Sequence, residues 1–169
     1  MAIRKILVYP EDVLRRKTRT VTVFDDALRT LVDDMIETMY AAPGVGLAAN
    51  QVGVDLQVCV VDVSYPDGDA QLHVLINPEI VQGEGEIVWE EGCLSFPDVL
   101  VDVTRSNQIL VRAVDVNGQP FELSAEGFLA VALQHEIDHL NGISLADKVG
   151  YLRRKMMLKD LKLFKESHR

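Results

Sequence analysis

Two histidines stand four residues apart in the stretch His135-Glu136-Ile137-Asp138-His139. On a helix, residues at this spacing are neighbours, about 5–6 Å apart at Cβ, so both imidazoles can bind one metal ion. Glu136 then lies close to a water molecule on that metal. A divalent metal can lower the pKa of bound water from about 15.7 towards about 7, and a nearby carboxylate can take the remaining proton as hydroxide attacks a carbonyl. The spacing therefore predicts a hydrolase.

The alternative is a chance match on a solvated helix, because a five-residue motif is short. Residues 128–133 precede the histidines and read Phe-Leu-Ala-Val-Ala-Leu. Such a stretch, apolar almost all round, is typical of a helix buried in a core. Two histidines and a glutamate are costly in that setting unless they bind a metal or form hydrogen bonds. The context therefore favours a metal site.

The composition indicates a domain that folds without disulfides. A chain of 169 residues can bury a large apolar core, and we predict one catalytic domain over residues 1–169. The two cysteines are too few for a disulfide framework, and Cys59, among valines, is predicted to be an inert core thiol. The first apolar run is too short for a signal peptide, and no stretch approaches membrane-spanning length. We expect a cytoplasmic protein with no membrane contact.

Charge is distributed unevenly along the chain. The formal net charge is −9, yet residues 148–169 hold 8 of the 17 Lys and Arg residues and only 2 of the 26 Asp and Glu residues. The acidic body argues against DNA as a partner. Residues 148–169 are predicted to form an amphipathic helix whose apolar residues pack on the body: Leu152, Met156, Met157, Leu161 and Phe164. Contact of its basic residues with ribosomal RNA is the other role considered.

Helical and strand-like patterns succeed one another along the chain. Apolar residues recur at helical spacing over 28–39, where Asp25 or Asp26 can cap the helix and Pro43-Gly44 must end it. Five β-branched-rich segments separated by turn residues then predict strands: 56–63, 72–76, 87–91, 99–103 and 109–114. Asn117-Gly118 predicts a type I′ hairpin turn that pairs 109–115 with 120–123.

A central helix is predicted over 125–141, with Ser124 as its cap and Gly142 at its left-handed end. Helices and strands do not alternate regularly in this reading of the chain. The predicted fold class is therefore α+β, with antiparallel or mixed β-sheets around the central metal-binding helix and with a C-terminal helix.

The histidine pair needs a third ligand, since catalytic zinc sites hold three protein ligands. The longer metalloprotease pattern HExxHxxGxxH is followed as far as Gly142, but Leu145 stands where its third histidine belongs. Glu166 lies among lysines in the tail, a poor place for a fixed ligand. Cys93, at the end of a predicted strand, can complete a Cys/His/His site. Its other interpretation is a small buried apolar residue.

A run of small residues, Gly-Val-Gly-Leu-Ala-Ala-Asn-Gln over 44–51, lies between a predicted helix and a predicted strand. Small residues let backbones approach closely, and Gln51 ends the run with a side-chain amide. The run lacks the later glycine, the lysine and the preceding strand of a nucleotide-binding loop. Phosphate binding is therefore not predicted here.

GVGLAANQ, EGCLS and QHEIDHL, in this order and at these intervals, closely resemble the three motifs of peptide deformylases. Residues 9–15 and the basic helical tail resemble the bacterial type 1 branch. The resemblance implies removal of the formyl group from the formyl-methionine terminus of nascent polypeptides, with release of formate. It also implies one divalent metal, Fe²⁺ in the cell, which Zn²⁺, Ni²⁺ or Co²⁺ can replace.

The resemblance also implies roles for single residues. It assigns the metal to three ligands, Cys93, His135 and His139, with water in the fourth position. Glu136 is then the general base that activates this water and the acid that protonates the leaving amine. The side-chain amide of Gln51 and the backbone N–H of Leu94 are expected to donate to the formyl oxygen as it becomes negative.

The methionine side chain calls for an apolar pocket, because the formyl group is too small to supply much binding energy. The family carries apolar residues at four positions that we expect to line it: Val45, Trp89, Phe128 and Val131. Core packing is the other role open to these side chains. The peptide backbone is expected to run along Val45-Gly46 through strand-like hydrogen bonds. Arg105 is predicted to pair with Glu91 and to brace the cysteine segment.

Three classes of protein fit these residues: a deformylase, a metal-dependent endopeptidase, and a non-catalytic domain with a structural metal. Structural zinc sites normally have four protein ligands, so three ligands beside Glu136 argue against the third class. Formate release from a formyl-Met peptide without internal cleavage distinguishes the first class from the second.

Overall fold

The computed structural model describes residues 2–64 and 68–168. Its helices are α1 (Asp26–Ala41), α2 (Phe128–Leu140) and α3 (Tyr151–Ser167). Its strands are β1 (Gly46–Ala48), β2 (Val58–Val61), β3 (His73–Glu84), β4 (Ile87–Cys93), β5 (Phe96–Arg105), β6 (Gln108–Val114) and β7 (Pro120–Glu126). Short helical turns cover Asp12–Arg15, Ala49–Val52 and Leu145–Lys148.

The strands form two sheets. One has the order β1-β2-β3-β6-β7, and the other is the hairpin β4-β5. Each pairing between these strands is antiparallel. The predicted α+β class, with antiparallel sheets around the helix that carries the histidines and with a C-terminal helix, is confirmed.

Helix α1 begins and ends where the sequence predicts. The Asp25 side chain accepts a hydrogen bond from the Leu28 N–H at 3.0 Å, which satisfies an amide that has no partner inside the helix. The helix stops at Ala41, two residues before Pro43. Its inward face is buried: Leu28, Leu31, Val32, Met35 and Met39. This face packs on β1 and β2 in a shared apolar cluster.

The hairpin β6-β7 has the predicted pairing, with Val111 opposite Leu123. Its predicted turn type is wrong, because a type I′ turn needs positive φ at two residues and only Gly118, at +79°, has it. Instead the Asp115 carboxylate accepts hydrogen bonds from the backbone N–H groups of Asn117 at 2.8 Å and Gln119 at 3.0 Å. The side chain of Asp115 therefore builds the turn.

The predicted cap at Ser124 is also wrong. Ser124 lies inside β7, opposite Leu110, and this strand continues to Glu126. Helix α2 starts only after Gly127, whose φ of +64° turns the chain from the strand into the helix. The strand ladder with β6 holds the backbone at Ser124 extended, so a residue that can cap a helix remains in the sheet. The predicted left-handed end at Gly142 is confirmed, with φ of +76°.

Helix α3 buries less of its apolar surface than the sequence predicts. Met157 and Leu161 are buried, whereas Leu152 is 75% exposed and Met156 is 65% exposed. Met157, Leu161 and Phe164 follow the spacing of one helical face, and residues 152 and 156 are rotated away from it. The prediction that Leu152 and Met156 pack on the body is therefore wrong. Arg169, the end of the predicted helix, lies outside the described residues.

Three apolar clusters surround the middle of the molecule. Helix α2 packs on the large sheet in one cluster, and α1 packs on β1 and β2 in another. The hairpin β4-β5 belongs to a third cluster, with α3 and residues near the N-terminus. Residues from α2 and from β4 meet where the first and third clusters adjoin.

Candidate active site

The metal-ligand candidates come from two separate elements. Cys93 is the last residue of β4, and His135 and His139 lie one turn apart on α2. The Cys93 Sγ lies 3.2 Å from His139 Nε2, which lies 3.2 Å from His135 Nε2. The three ligand atoms are all within 4.8 Å of one another. Residues 42 to 46 positions apart in the chain thus converge on one point.

The donor set fits a divalent transition metal. Thiolate and imidazole are the ligands that zinc and ferrous iron use, and ligands of one tetrahedral zinc lie roughly 3.3–3.6 Å apart. The distances between these side-chain atoms are close to that range. His135 Nδ1 is 2.8 Å from a carboxylate oxygen of Glu91, which can only accept, so Nδ1 carries the proton and Nε2 presents its lone pair.

The two imidazoles have opposite electrostatic environments. Burial alone would lower the pKa of His135, but the negative charges of Cys93 and Glu136 outweigh it and raise that pKa well above its usual value. Burial, with the positive charges of His135 and Arg105, lowers the pKa of His139 well below its usual value. Protonation in this pair therefore favours His135 over His139.

Glu136 points its carboxyl group into the same space. It is 4% exposed, and its Oε1 atom has no hydrogen-bond partner among the described residues. Burial raises its pKa to about 7. A carboxyl group of that pKa can both take and return a proton near neutral pH. This is the property that a general base and acid requires.

Gln51 is held by the residues around it. Its Oε1 accepts from the Ala48 N–H at 2.9 Å, which directs the amide nitrogen the opposite way. That nitrogen donates to Ser95 Oγ at 3.0 Å and lies 3.6 Å from Cys93 Sγ. The Gln51 side chain therefore ends beside the candidate metal ligands, as a donor to a bound carbonyl must. The anchoring Ser95 was not singled out from the sequence.

Two adjoining cavities open onto these side chains. The first, of about 320 Å³, has walls from the runs 43–46 and 92–94 and from Gln51, His135 and Glu136. Leu94 and Gly46 lie in its wall. The second, of about 140 Å³, contains each of the four predicted pocket residues: Val45, Trp89, Phe128 and Val131. The Trp89 and Phe128 rings stack with centroids 4.8 Å apart.

Sequence reasoning missed the link between Glu91 and His135. The predicted pair of Arg105 and Glu91 is present, with Arg105 Nε and Nη2 at 2.5 and 2.9 Å from the two Glu91 oxygens. The same carboxylate also accepts from His135. The chain offered a signal, because Glu91 lies only two residues from the predicted ligand Cys93, although the strand is irregular between them.

A second missed residue supports the end of α2. The Asn50 side-chain N–H donates to the His139 carbonyl at 2.6 Å, and the Thr18 hydroxyl donates to the Leu140 carbonyl at 2.8 Å. Both carbonyls lie in the last turn of the helix, where no further amide of the helix can reach them. Asn50 thus ties the run of small residues to the helix that carries both histidines.

Comparison with known proteins identifies the family of this chain. The family model of polypeptide deformylase matches residues 3–155. The chain belongs to this deformylase family. A peptide deformylase of Syntrophobacter fumaroxidans is 51% identical over 154 residues, which cover 91% of each chain. One of Aquifex aeolicus is 48% identical over 157 residues, covering 92% of this chain and 93% of the relative.

Solved deformylase structures share the fold. The crystal structure of a peptide deformylase from Legionella pneumophila superposes with a TM-score of 0.92 at 46% identity, covering 99% of this chain and 98% of the other. The predicted family, and with it the predicted class of enzyme, is confirmed. None of the helices within the described ranges is long and apolar enough to cross a membrane.

Proposed function

We propose that this deformylase hydrolyses the N-formyl group of formyl-methionine at the start of nascent polypeptides and releases formate, in a metal-dependent reaction. The observation that supports this most is the convergence of Cys93, His135 and His139, whose ligand atoms lie within 4.8 Å of one another. Three ligands leave room for a reactant, whereas structural zinc sites normally use four. The buried Glu136 beside them provides the proton transfer that amide hydrolysis needs.

Cys93, His135 and His139 would hold the metal, which we propose is Fe²⁺ in the cell, with Zn²⁺, Ni²⁺ or Co²⁺ as possible replacements. When bound, the metal supplies Lewis acidity to the formyl carbonyl and lowers the pKa of water. Glu91 keeps His135 in the tautomer that presents Nε2, through the contact of 2.8 Å at Nδ1.

Glu136 moves the proton in this proposal. Its carboxylate takes a proton from the attacking water as the oxygen adds to the formyl carbon. The carbon–nitrogen bond then breaks, and Glu136 gives the proton to the departing nitrogen, which leaves as a free amine. One water molecule and one formamide thus yield formate and the N-terminus of the peptide. The raised pKa of Glu136, about 7, suits both transfers.

Gln51 and Leu94 stabilise the negative charge that develops on the formyl oxygen. We propose the side-chain N–H of Gln51 and the backbone N–H of Leu94 as the donors. Gln51 is 1% exposed, and its bonds to Ala48 and Ser95 hold the amide in place before substrate binds. Ser95 takes one of the two N–H hydrogens, and we propose that the other, which faces Cys93 Sγ, donates to the formyl oxygen.

The methionine side chain would occupy the cavity of about 140 Å³ beside His135 and Glu136. Its proposed walls are the stacked rings of Trp89 and Phe128, with Val45 and Val131. The peptide backbone would run along Val45 and Gly46, at the half-buried start of the edge strand β1, by adding strand-like hydrogen bonds.

We propose that residues 1–169 act as one catalytic domain in the cytoplasm, on the N-termini of polypeptides during synthesis. Both cysteines are free, and a thiolate ligand needs a reducing compartment. Helix α3 carries most of the basic residues of the tail, and we propose it as the contact with ribosomal RNA. Neither DNA nor a membrane is a proposed partner.

The test combines a formate-release assay with metal analysis on anaerobically purified protein. We expect wild type to release formate from a formyl-Met peptide without internal cleavage. Cys93→Ser should lose metal and activity together, while Cys59→Ala, a change at the buried core cysteine, should retain both. Internal cuts in the peptide would instead support an endopeptidase. Retained metal without formate release in the wild type would support a structural site.

A further inference from the structure

Arg105 lies between two carboxylates on opposite sides of its guanidinium group. Two of its nitrogens donate to the two oxygens of Glu91, and the third, Nη1, donates to Asp138 Oδ2 at 2.8 Å. The Arg105 side chain is only 5% exposed and that of Glu91 only 4%. All three nitrogens of a buried guanidinium are therefore committed to two carboxylates.

These contacts connect the hairpin β4-β5 to α2, which otherwise meet through the stacked rings of Trp89 and Phe128. Arg105 ends β5 and Glu91 lies on β4, and this hairpin packs with α3 in the third apolar cluster. Asp138 belongs to α2, which packs on the large sheet. Since Cys93 comes with the hairpin and the histidines come with α2, the position of the hairpin on α2 determines how close the thiol lies to the imidazoles.

We propose that Asp138 is a positioning residue that fixes the hairpin β4-β5 on α2 through Arg105. By holding Nη1, Asp138 keeps the guanidinium plane aligned with Glu91, which in turn holds Nδ1 of His135. Asp138 follows His135 by three residues on the helix. One turn of α2 therefore carries both the proposed ligand and the carboxylate that supports it through Arg105 and Glu91. This inference rests on the proposed metal site at Cys93, His135 and His139.

Lys148 contacts the same carboxylate but is expected to matter much less. Its Nζ is 3.4 Å from Asp138 Oδ2, and its side chain is 31% exposed. Partly exposed ion pairs contribute little, because water screens them and the lysine side chain loses freedom. Arg105, in contrast, is only 5% exposed, so removal of the Asp138 carboxylate takes a charged partner from a mostly buried guanidinium group. Loss of the contact with Lys148 should therefore affect the metal site much less than loss of the contact with Arg105.

The experiment measures Co²⁺ binding to the full chain by chelator competition and by the thiolate-to-cobalt charge-transfer absorption. Asp138→Ala should bind Co²⁺ about 10-fold more weakly, the lower end of the loss typical of direct partners of metal ligands, because it acts through Arg105 and Glu91, and it should shift the absorption band. Asp138→Asn keeps an oxygen that can accept from Nη1, so it should recover most of that loss. Lys148→Ala, and Asp102→Asn on the exposed side of β5, should change affinity less than about twofold.

Wild-type affinity and an unshifted band in Asp138→Ala would overturn the inference. So would equal losses in the Ala and Asn variants, or a loss in Lys148→Ala as large as that in Asp138→Ala. Thermal melting of each variant without metal shows whether it is folded. If Asp138→Ala is not folded, Asp138→Leu, which also removes the acceptor for Nη1 but keeps the side-chain volume, carries the test with the same expected loss. Failure of the proposed metal site can be distinguished from failure of the inference on Asp138, because wild type itself would then show no thiolate-to-cobalt band.

Discussion

Gly46 lies directly against the carboxyl group of Glu136. A Cβ atom added at Gly46 would stand 2.9 Å from Glu136 Cδ, closer than real Cβ atoms come to other heavy atoms. The backbone of β1 therefore lies against the Glu136 side chain, which would have to move to admit a Cβ atom at this position. The Glu136 carboxyl group can lie beside the histidines because Gly46 has no Cβ atom.

We expect Gly46→Ala to lower kcat by about 10²–10⁴-fold, because the added methyl group pushes the proposed base and acid away from the reacting atoms. Metal content should stay at the wild-type level, since the three heavy atoms nearest to a Cβ at Gly46 all belong to Glu136 and none to a proposed metal ligand. The measurement is formate release beside metal analysis of the same preparation.

Gly150→Ala is the matched control for Gly46→Ala. A Cβ at Gly150 meets nothing within 4 Å, and no positive φ strains the position. Turnover of Gly150→Ala should equal that of wild type. Turnover near the wild-type rate in Gly46→Ala would show that Glu136 does not need this position for catalysis.

Gln51→Leu should impair both catalysis and stability. Loss of one donor to a developing oxyanion typically lowers turnover by about 10²–10³-fold, or about 2.7–4 kcal/mol. The same change leaves the buried N–H of Ala48 without its acceptor, at a cost of about 1–3 kcal/mol in the free energy of unfolding. Steady-state kinetics and urea denaturation measure the two effects separately.

Gln57→Leu is the corresponding control outside the site. The Gln57 amide donates to the Thr18 carbonyl at 3.2 Å, so its loss should affect stability alone. Equal turnover in Gln51→Leu and wild type would remove Gln51 from the proposed mechanism. A comparable fall of turnover in Gln57→Leu would point to a general loss of structure instead.

Trp89→Ala should relax the choice of side chain at the substrate terminus. The indole ring stacks on Phe128 with an angle of 10° between the planes and closes one side of the pocket. A change of one methylene group in an apolar pocket is worth about 1–3 kcal/mol, so removal of this wall should reduce the preference for formyl-Met over formyl-Phe peptides about tenfold. The ratio of kcat/KM for the two peptides measures it.

Val88→Ala is the control on the same strand. Val88 is adjacent to Trp89, points to the other face of β4 and is 64% exposed. Its substitution should leave the kcat/KM ratio unchanged. If Trp89→Ala also left the ratio unchanged, the proposed methionine pocket would have to lie elsewhere.

Local sequence signals predicted helix ends correctly where no strand pairing held the same residue in another conformation. Helix α1 begins after the predicted Asp25 cap, because Asp25 lies in no strand and its carboxylate accepts from the Leu28 N–H. Ser124 has the same capping chemistry, yet it stays in β7, because its backbone belongs to the ladder with β6. Which of two local preferences is realised thus depends on a strand partner that helix-capping signals do not reveal.

The site was predictable only in part for a similar reason. Helical spacing predicted that the two histidines share one face, and the resemblance to peptide deformylases predicted that Cys93 lies beside them. The contact of Glu91 with His135 spans 44 positions of the chain, and no periodicity describes such a pair. The ion pair of Arg105 and Asp138 spans 33 positions and was missed for the same reason.

Asp62 offers a prediction on stability that is independent of the metal. Its buried carboxylate accepts hydrogen bonds from the Tyr40 hydroxyl at 2.6 Å, the Ser64 hydroxyl at 2.5 Å and the backbone N–H groups of Ser64 and Gln71. Burial alone would raise the pKa of Asp62, but these donors outweigh it and hold that pKa below its ordinary value of 3.8.

A folded-state pKa below the unfolded one means that the ionised Asp62 stabilises the fold above about pH 4 and that this contribution disappears as the pH falls through the folded pKa. We expect Asp62→Asn to lower the free energy of unfolding by about 2 kcal/mol at pH 7, because charge-assisted hydrogen bonds are lost. The difference from wild type should shrink below about pH 4.

Urea denaturation between about pH 3 and pH 7 measures this difference. The exposed Asp33→Asn is the control and should show no difference from wild type at any pH. A gap between wild type and Asp62→Asn that stays constant down to pH values where the carboxyl group is protonated would mean that shape, and not charge, explains the role of Asp62.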